Sequence, residues 1–251
     1  MEREPVDMQV ALLLCAATLV GSYPGDEEHS YLWQPAYCID DVRRGPAEKY
    51  VARPGDIILS TDKKCFWQLT FTIAATGHPH HAAIVFRRSD GRLAVLEAGP
   101  HDTTHIEIID LDEHLRSYDE EGPVWVRRRK TPLTEDQSAR LTEFAYMQEG
   151  KRFALIRLGA QLTPLRSRGA LRTYFVGGPH GPNRRSYFCS ETVLEAGVYA
   201  GLLDPKTTRP SATYPRDIFY DDSWNLYLKK HFSLAPCWDP PARWTSSACS
   251  K

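Results

Sequence analysis

The sequence predicts an α+β fold in one domain, and three observations predict it. Short apolar runs bounded by turn residues follow one another between residues 56 and 128 and indicate strands. Two later segments have the 3.6-residue spacing of helices. No internal repeat or linker divides the 251 residues, and the composition, 42% hydrophobic and 25% charged, is typical of a globular domain.

The apolar runs predict five strands, at 56–60, 82–86, 93–97, 106–109 and 124–128. Pro54-Gly55 is a turn signal before the first of them. Asp90-Gly91 lies between the second and the third, and this pair favours a β-hairpin. Between the first two strands, the spacing of Phe66, Leu69 and Ile73 predicts a helix over 66–75 that ends at Gly77.

Two helices are predicted after the strands. Thr134 and Gln137 form a capping box at the start of a helix over 134–148, and Gly150 ends it. A last helix is predicted over 186–200, with Ser186 as its N-cap and Gly201 after its end. The segment 163–185 is rich in Arg, Gly and Pro and indicates a surface excursion.

Both ends of the chain are predicted to lie outside the central domain, which spans 55–215. Residues 1–54 form an N-terminal lead-in and residues 216–251 a tail that wraps the domain. Val10–Val20 is a continuous apolar run within 8–21, too short for a bilayer, which needs about 20 residues. It fits an export signal or a buried helix, although the acidic residues before it do not suit a signal. Localisation, exported or cytoplasmic, therefore stays open.

Charge and cysteine content exclude several classes of protein. The net charge of −1 creates no global field for a nucleic acid or an anionic membrane. Six cysteines with no CxxC pair exclude a disulfide scaffold or a zinc ribbon. The pairing of Cys38, Cys237 and Cys249 and the oligomeric state stay open.

Cys189 is the cysteine whose position suggests chemistry. With Ser186 as N-cap it lies in the first turn of the last helix, where free backbone N–H groups and the helix dipole favour a thiolate. It shares an inward stripe with Val193, Ala196 and Ala200, whereas Glu191 and Glu195 face elsewhere. The alternative is that Cys189 is a small buried hydrophobic residue, as many internal cysteines are.

A thiol nucleophile needs a base, and His81 is the candidate because it leads directly into a predicted strand. Glu97, at the end of the next strand, can orient it. A three-residue hairpin loop, Ser89-Asp90-Gly91, places residue 83 opposite Glu97 and makes His81 its diagonal neighbour. A two-residue loop points Glu97 to the other face, so the triad depends on this register.

A zinc site is the alternative use of the histidines. Five of them, His78, His80, His81, His101 and His105, lie within 28 residues. No HExxH or comparable helical spacing is present, and histidine-rich loops are commonly solvated. His78 and His80 bracket a proline, which predicts a loop for both.

Four segments in this order resemble one family of enzymes. They are Gly55–Ile58, His81–Val85, Leu96–Ala98 and Tyr187–Glu191, and they are similar to the YiiX/YebB-like cysteine hydrolases. These are circularly permuted relatives of the NlpC/P60 papain-like fold, in which His precedes Cys. The resemblance implies a permuted papain-like domain, with an antiparallel sheet packed against helices and the nucleophile at the start of a late helix.

The resemblance also implies a function. Cys189 would be the nucleophile, His81 the general base and Glu97 its orienting residue, cleaving an amide or ester bond through a thioester. The family's substrates are peptides, peptidoglycan-like peptides or acyl lipids, and the chemistry needs neither a metal nor an organic cofactor. An acyltransferase on the same scaffold and an inactive binding module are the alternatives. Family members often have Gly-Lys-Pro-Tyr-Asp-Phe where this chain has Gly150–Leu155, and 163–185 resembles an insertion, so substrate preference does not carry over.

Overall fold

An antiparallel sheet of eight strands organises the computed structural model, which describes residues 30–33, 36, 39–40, 42–61, 77–99, 103–160, 163 and 168–247. The strands are β1 (Tyr31–Trp33), β2 (Ala47–Lys49), β3 (Ile57–Ser60), β4 (His81–Arg87), β5 (Leu93–Ala98), β6 (Ile106–Asp110), β7 (Val124–Arg127) and β10 (Ala242–Thr245). Their order in the sheet is β2-β1-β10-β7-β3-β4-β5-β6. A separate parallel pair joins β8 (Arg152–Phe153) to β9 (Ser186–Tyr187).

The five predicted strands are β3 to β7, each within one residue of its expected bounds. The hairpin between β4 and β5 has the three-residue loop, because Arg88 N–H donates to the carbonyl of Arg92 at 2.8 Å. Gly91 has a φ of 88°, which a side chain would disfavour. Ala83 therefore lies opposite Glu97, as this loop length predicts.

Seven helices surround the sheet in the described residues. They are α1 (Leu111–Glu121), α2 (Glu135–Gln148), α3 (Leu155–Ala160), α4 (Ala170–Val176), α5 (Cys189–Tyr199), α6 (Pro215–Tyr220) and α7 (Leu226–His231). The capping box of α2 is present as predicted, with Thr134 and Gln137 bonded to each other's backbone N–H. A helix at α1 was not expected from the sequence.

Apolar side chains pack on both faces of the sheet. On one face Ile84 and Leu96 pack with Phe144 of α2 and Val193 of α5. On the other face Ala83 and Val95 pack with Leu115 of α1. Because side chains alternate along a strand, His81 and Glu97 share the face that α1 covers. The α+β class and its antiparallel sheet are as predicted.

Both flanking segments contribute strands to the main sheet. The predicted lead-in provides β1 and β2, and the predicted wrapping tail provides β10, which lies between β1 and β7. The tail is thus not merely wrapped around the domain, since Trp244 pairs with Val124 on one side and Leu32 on the other. The division at residues 54 and 215 stays a prediction.

Some expectations fall outside the described residues: the apolar segment 8–21 and the helix over 66–75. Among the helices that are described, none combines the length and the apolar character needed to traverse a bilayer.

Candidate functional site

Cys189 is the first residue of α5 and is 6% exposed. The expected N-cap at Ser186 is wrong, because Ser186 and Tyr187 are extended and pair with β8, so Phe188 is the N-cap. Cys189 is therefore at the first helical position rather than the third. It remains in the first turn, where backbone N–H groups have no partner in the helix ladder.

The expected inward stripe of α5 is confirmed, since Val193, Ala196 and Ala200 are buried with Cys189. Glu191 and Glu195 are buried as well, which the sequence did not indicate. Glu191 accepts hydrogen bonds from the guanidinium groups of Arg157 and Arg184 and from Phe188 N–H, the last at 3.1 Å. Glu195 accepts the backbone N–H groups of His180 and Gly181.

These contacts fix the start of α5. Arg157 also donates to the carbonyl of Ser186 at 2.6 Å, and its guanidinium lies over the ring of Phe188. Phe188 and Glu191, on either side of Cys189 in the chain, are thereby held by α3 and by the loop before β9. Cys189 does not need to be ordered when a substrate arrives, because the chain on both sides of it is already held.

His81 begins β4 and meets Cys189 there. Its Nδ1 lies 3.3 Å from Glu97 Oε1, and its ring interacts with the Cys189 side chain. Burial lowers the pKa of His81, but the contacts with Cys189 and Glu97 outweigh burial and raise the pKa from 6.5 to about 10. An imidazolium beside a thiol is the arrangement that stabilises a thiolate.

Glu97 is fully buried and is surrounded by three polar side chains. Tyr118 Oη donates to its Oε1 at 2.5 Å, and His114 Nδ1 lies 3.2 Å from its Oε2. Burial raises the pKa of Glu97, but the neighbouring His114 and His81 lower it more, and the pKa ends well below its usual range. Glu97 is therefore a charged carboxylate in the core.

Sequence reasoning missed His114 and Tyr118. Both lie on α1, whose buried residues Leu111, His114, Leu115 and Tyr118 follow the i, i+3, i+4, i+7 spacing of an amphipathic helix. Asp110 caps this helix through its side chain, at the end of β6. That spacing and cap are the signal that would have found the helix, and with it the second histidine.

The other histidines considered for a zinc site do not form a metal-binding cluster within the described residues. His80 is buried although it precedes the strand on a loop, and burial, with His78 and His81 nearby, lowers its pKa to about 3. His101 is outside the described residues. Within those residues, no group of three or more His, Cys, Asp or Glu side chains is arranged to hold a metal ion.

Cys237 is the other cysteine that the structure describes as free, whereas Cys38 and Cys249 are outside the described residues.

A wide groove of about 980 Å³ lies at the β4–β5 turn and the start of α2, lined by Arg53, Ser89 and Leu133 among others. None of the site residues lines it, so its size gives no information about the substrate of Cys189.

Comparisons with known proteins found little beyond this. No family model matches the chain, and no curated protein matches it. Among solved structures, the chain is similar to that of metalloprotein YiiX from Escherichia coli O157:H7, with 18% identity and a TM-score of 0.42 over 60% of this chain and 67% of that one.

Proposed function

We propose that this protein is a cysteine hydrolase of the permuted papain-like type, which cleaves an amide or ester bond through a thioester. One observation carries the proposal: Cys189, His81 and Glu97 form a continuous series of contacts from the start of α5 to the sheet. They are the nucleophile, the general base and the residue that orients the base.

The reactive form of the site is a Cys189 thiolate beside a His81 imidazolium. Cys189 Sγ lies 3.5 Å from the carbonyl oxygen of His80 and, as a thiol, donates to it. Because Nδ1 of His81 faces Glu97, Nε2 is the ring nitrogen left for the thiol. Nε2 holds the proton in the reactive pair, and the negative charge of Glu97 stabilises the imidazolium.

The reaction then proceeds in two steps, formation of a thioester on Cys189 and hydrolysis of that thioester. The thiolate attacks the carbonyl carbon, and His81 gives its proton to the leaving amine or alcohol as the thioester forms. Water then attacks the thioester while His81 takes one of its protons, and the C–S bond breaks to release the carboxylic acid and restore the Cys189 thiolate beside the His81 imidazolium. The backbone N–H of Cys189, in the first turn of α5, is one donor for the oxyanion.

His114 and Tyr118 are positioning residues in this proposal, because they contact Glu97 and act through it on His81. An unpaired buried carboxylate is costly and takes up a proton to become neutral. With Tyr118 on one oxygen and His114 on the other, Glu97 keeps its charge and its orientation toward His81.

The alternative of an inactive binding module makes a different demand on the site. A binding module does not need its cysteine within hydrogen-bonding reach of an imidazole, or a buried charge behind that imidazole. The contact between Cys189 and His81 therefore supports an enzyme. The products distinguish a hydrolase from an acyltransferase. If water is the final nucleophile, the product is a free acid, whereas another acceptor leaves with the acyl group attached to it.

The test is alkylation by iodoacetamide near neutral pH, followed by peptide mapping, together with labelling by a thiol-reactive acyl probe. We expect Cys189 to react faster than Cys237, although Cys189 is buried and Cys237 is half-exposed. Exposure alone predicts the opposite order, so faster reaction at Cys189 reports its thiolate character.

The matched variants are Cys189→Ala and Cys237→Ala. Acyl-probe labelling should disappear in the first and persist in the second. Equal alkylation of all six cysteines, or acyl labelling that survives Cys189→Ala, would contradict the proposal.

A further inference from the structure

Exposed large hydrophobic side chains are concentrated in two segments of the described part of the chain. Of the twelve large hydrophobic residues that are exposed in the described part, nine lie in residues 155–176 and 220–226. Six of these form what we call the α4–α7 surface: Leu171, Tyr174, Phe175, Val176, Trp224 and Leu226. Scattered exposed hydrophobic residues are normal, whereas such a concentration marks an interaction surface.

Side-chain contacts join α4 to the start of α7. Asn225 Nδ2 donates to Thr173 Oγ1 at 2.7 Å, and the rings of Tyr174 and Tyr227 lie 6.1 Å apart. Thr173 is fully buried, whereas Leu171 and Phe175 on the same helix are about three-quarters exposed, at 75% and 74%. The helix thus places a polar side chain inside and its apolar side chains outside, the reverse of an ordinary surface helix.

This surface adjoins the Cys189 end of the site. The Arg216 guanidinium lies over the Trp224 ring at 4.1 Å, and the Arg216 side chain packs against Gly77. His78 follows Gly77, and its ring is 4.1 Å from that of His80, whose carbonyl accepts the Cys189 thiol. A series of side-chain and backbone contacts therefore connects the α4–α7 surface to the Cys189 end of the site.

The charges around the surface are mainly positive. Arg172 and Lys230 are exposed, and Arg216 lies beside Trp224. Asp222 is the nearby exposed acid, and Lys229 lies 3.9 Å from it. Two further acids lie in this segment: Asp217 is buried and paired with Arg168, and Asp221 is partly buried and accepts the backbone N–H groups of Leu234 and Ala235. Although the whole chain has a net charge of −1, this region has a local positive excess.

We propose that the α4–α7 surface docks on the interface of an anionic lipid bilayer. Exposed Leu and Phe side chains bury themselves among the acyl chains, Trp and Tyr suit the headgroup level, and Arg and Lys are attracted to anionic headgroups. The docking does not depend on the proposed function. Together with that function, it places Cys189 beside bonds that lie at a membrane surface.

The test is sedimentation of the full chain with vesicles of phosphatidylcholine alone and of phosphatidylcholine with phosphatidylglycerol. We expect binding to the second kind, weakened by added salt. Leu171→Ser, Phe175→Ser and Leu226→Ser combined should reduce that binding by about tenfold or more. The matched control combines Val42→Ser and Val51→Ser, two exposed apolar residues elsewhere, at 54% and 50% exposure, and should bind as the wild type does.

Two outcomes would overturn the proposal. One is equal vesicle binding by the triple variant and the wild type. The other is a lipid-independent dimer that the triple variant abolishes, which would assign the surface to a second copy of the chain. Cys189→Ala separates this test from that of the proposed function, because it removes the thiol and should leave vesicle binding intact.

Discussion

Glu97 shows how a buried charge can be kept for chemistry. No part of its side chain reaches solvent, and a carboxylate in such a place ordinarily becomes protonated. Tyr118 and His114 take one oxygen each, and His81 shares the oxygen bonded to Tyr118. Glu97 therefore keeps its negative charge beside His81, whose imidazole carries a positive charge in the proposed reaction.

This arrangement predicts the pH dependence of activity. The active pair requires protonated His81, so kcat/KM should fall as pH rises through about 10, the pKa of His81. Glu97→Gln removes the negative charge that stabilises the imidazolium, so the pKa of His81 falls and the alkaline limb moves to lower pH. Turnover should also decrease by about tenfold or more, because the ring loses its orienting carboxylate. The measurement is kcat/KM against pH for both proteins.

Glu120→Gln is the control, because it removes an exposed carboxylate from α1 without touching the site. Its profile should match that of the wild type. An alkaline limb that stays in place in Glu97→Gln would show that another group sets the pKa of His81.

At this scale the sequence predicted the three residues that meet but not the two behind them. Cys189 was identified by its place at a helix start and His81 by its place at a strand start, both local features. Glu97 followed from one register, and the loop of the β4–β5 hairpin has that register. His114 and Tyr118 were missed because α1 was not predicted, and because its spacing and cap indicate a helix but not that it packs beside Glu97.

At the scale of elements, α2 supports the site from the α5 side of the sheet. Leu141, Phe144 and Ala145 of α2 are buried in the core that also contains Val193 of α5. The helix begins with a complete capping box, in which Thr134 Oγ1 accepts Gln137 N–H at 3.2 Å. The side chain of Thr134 therefore contributes to the stability of α2.

Thr134→Ala should lower the free energy of unfolding by about 1 kcal/mol, because it leaves a helix N–H without its side-chain partner. Urea denaturation followed by far-UV circular dichroism measures this as a lower midpoint with an unchanged slope. Thr131→Ala, an exposed threonine just before the helix, is the control and should change little. A midpoint equal to that of the wild type for Thr134→Ala would show that packing alone fixes the helix start.

The start of a helix could be predicted where the capping hydrogen bond is local, and could not where a distant strand pairs with the backbone at that position. Thr134 was identified correctly because its partner is three residues away. Ser186 was not an N-cap, because the backbone there pairs with Arg152, more than thirty residues earlier in the chain. A residue type that commonly caps helices stands at both positions. At Ser186, pairing with a distant strand determines the backbone conformation.

At the scale of the whole molecule, the main sheet is completed by both ends of the chain. Trp33 of β1 pairs with Arg243 of β10, and Ala242 of β10 pairs with Val126 of β7. These partners are separated by more than a hundred residues of sequence. The segment after residue 215 was predicted as a wrapping tail because its aromatic and proline-rich pattern contains no information about such distant pairing.

Removal of residues 240–251 should therefore disrupt the fold, because it takes away a strand that lies between two others. β1 and β7 would lose their hydrogen-bonded neighbour, and the space of Trp244, whose indole N–H donates to Ser30 Oγ at 2.7 Å, would be empty. We expect the shortened chain to aggregate or to unfold without a cooperative transition, as measured by size-exclusion chromatography and thermal circular dichroism. Removal of residues 248–251 alone, which leaves β10 intact, is the control and should keep the transition of the full chain. If the chain without β10 unfolds cooperatively at the temperature of the full chain, this strand is dispensable and the tail is an appendage after all.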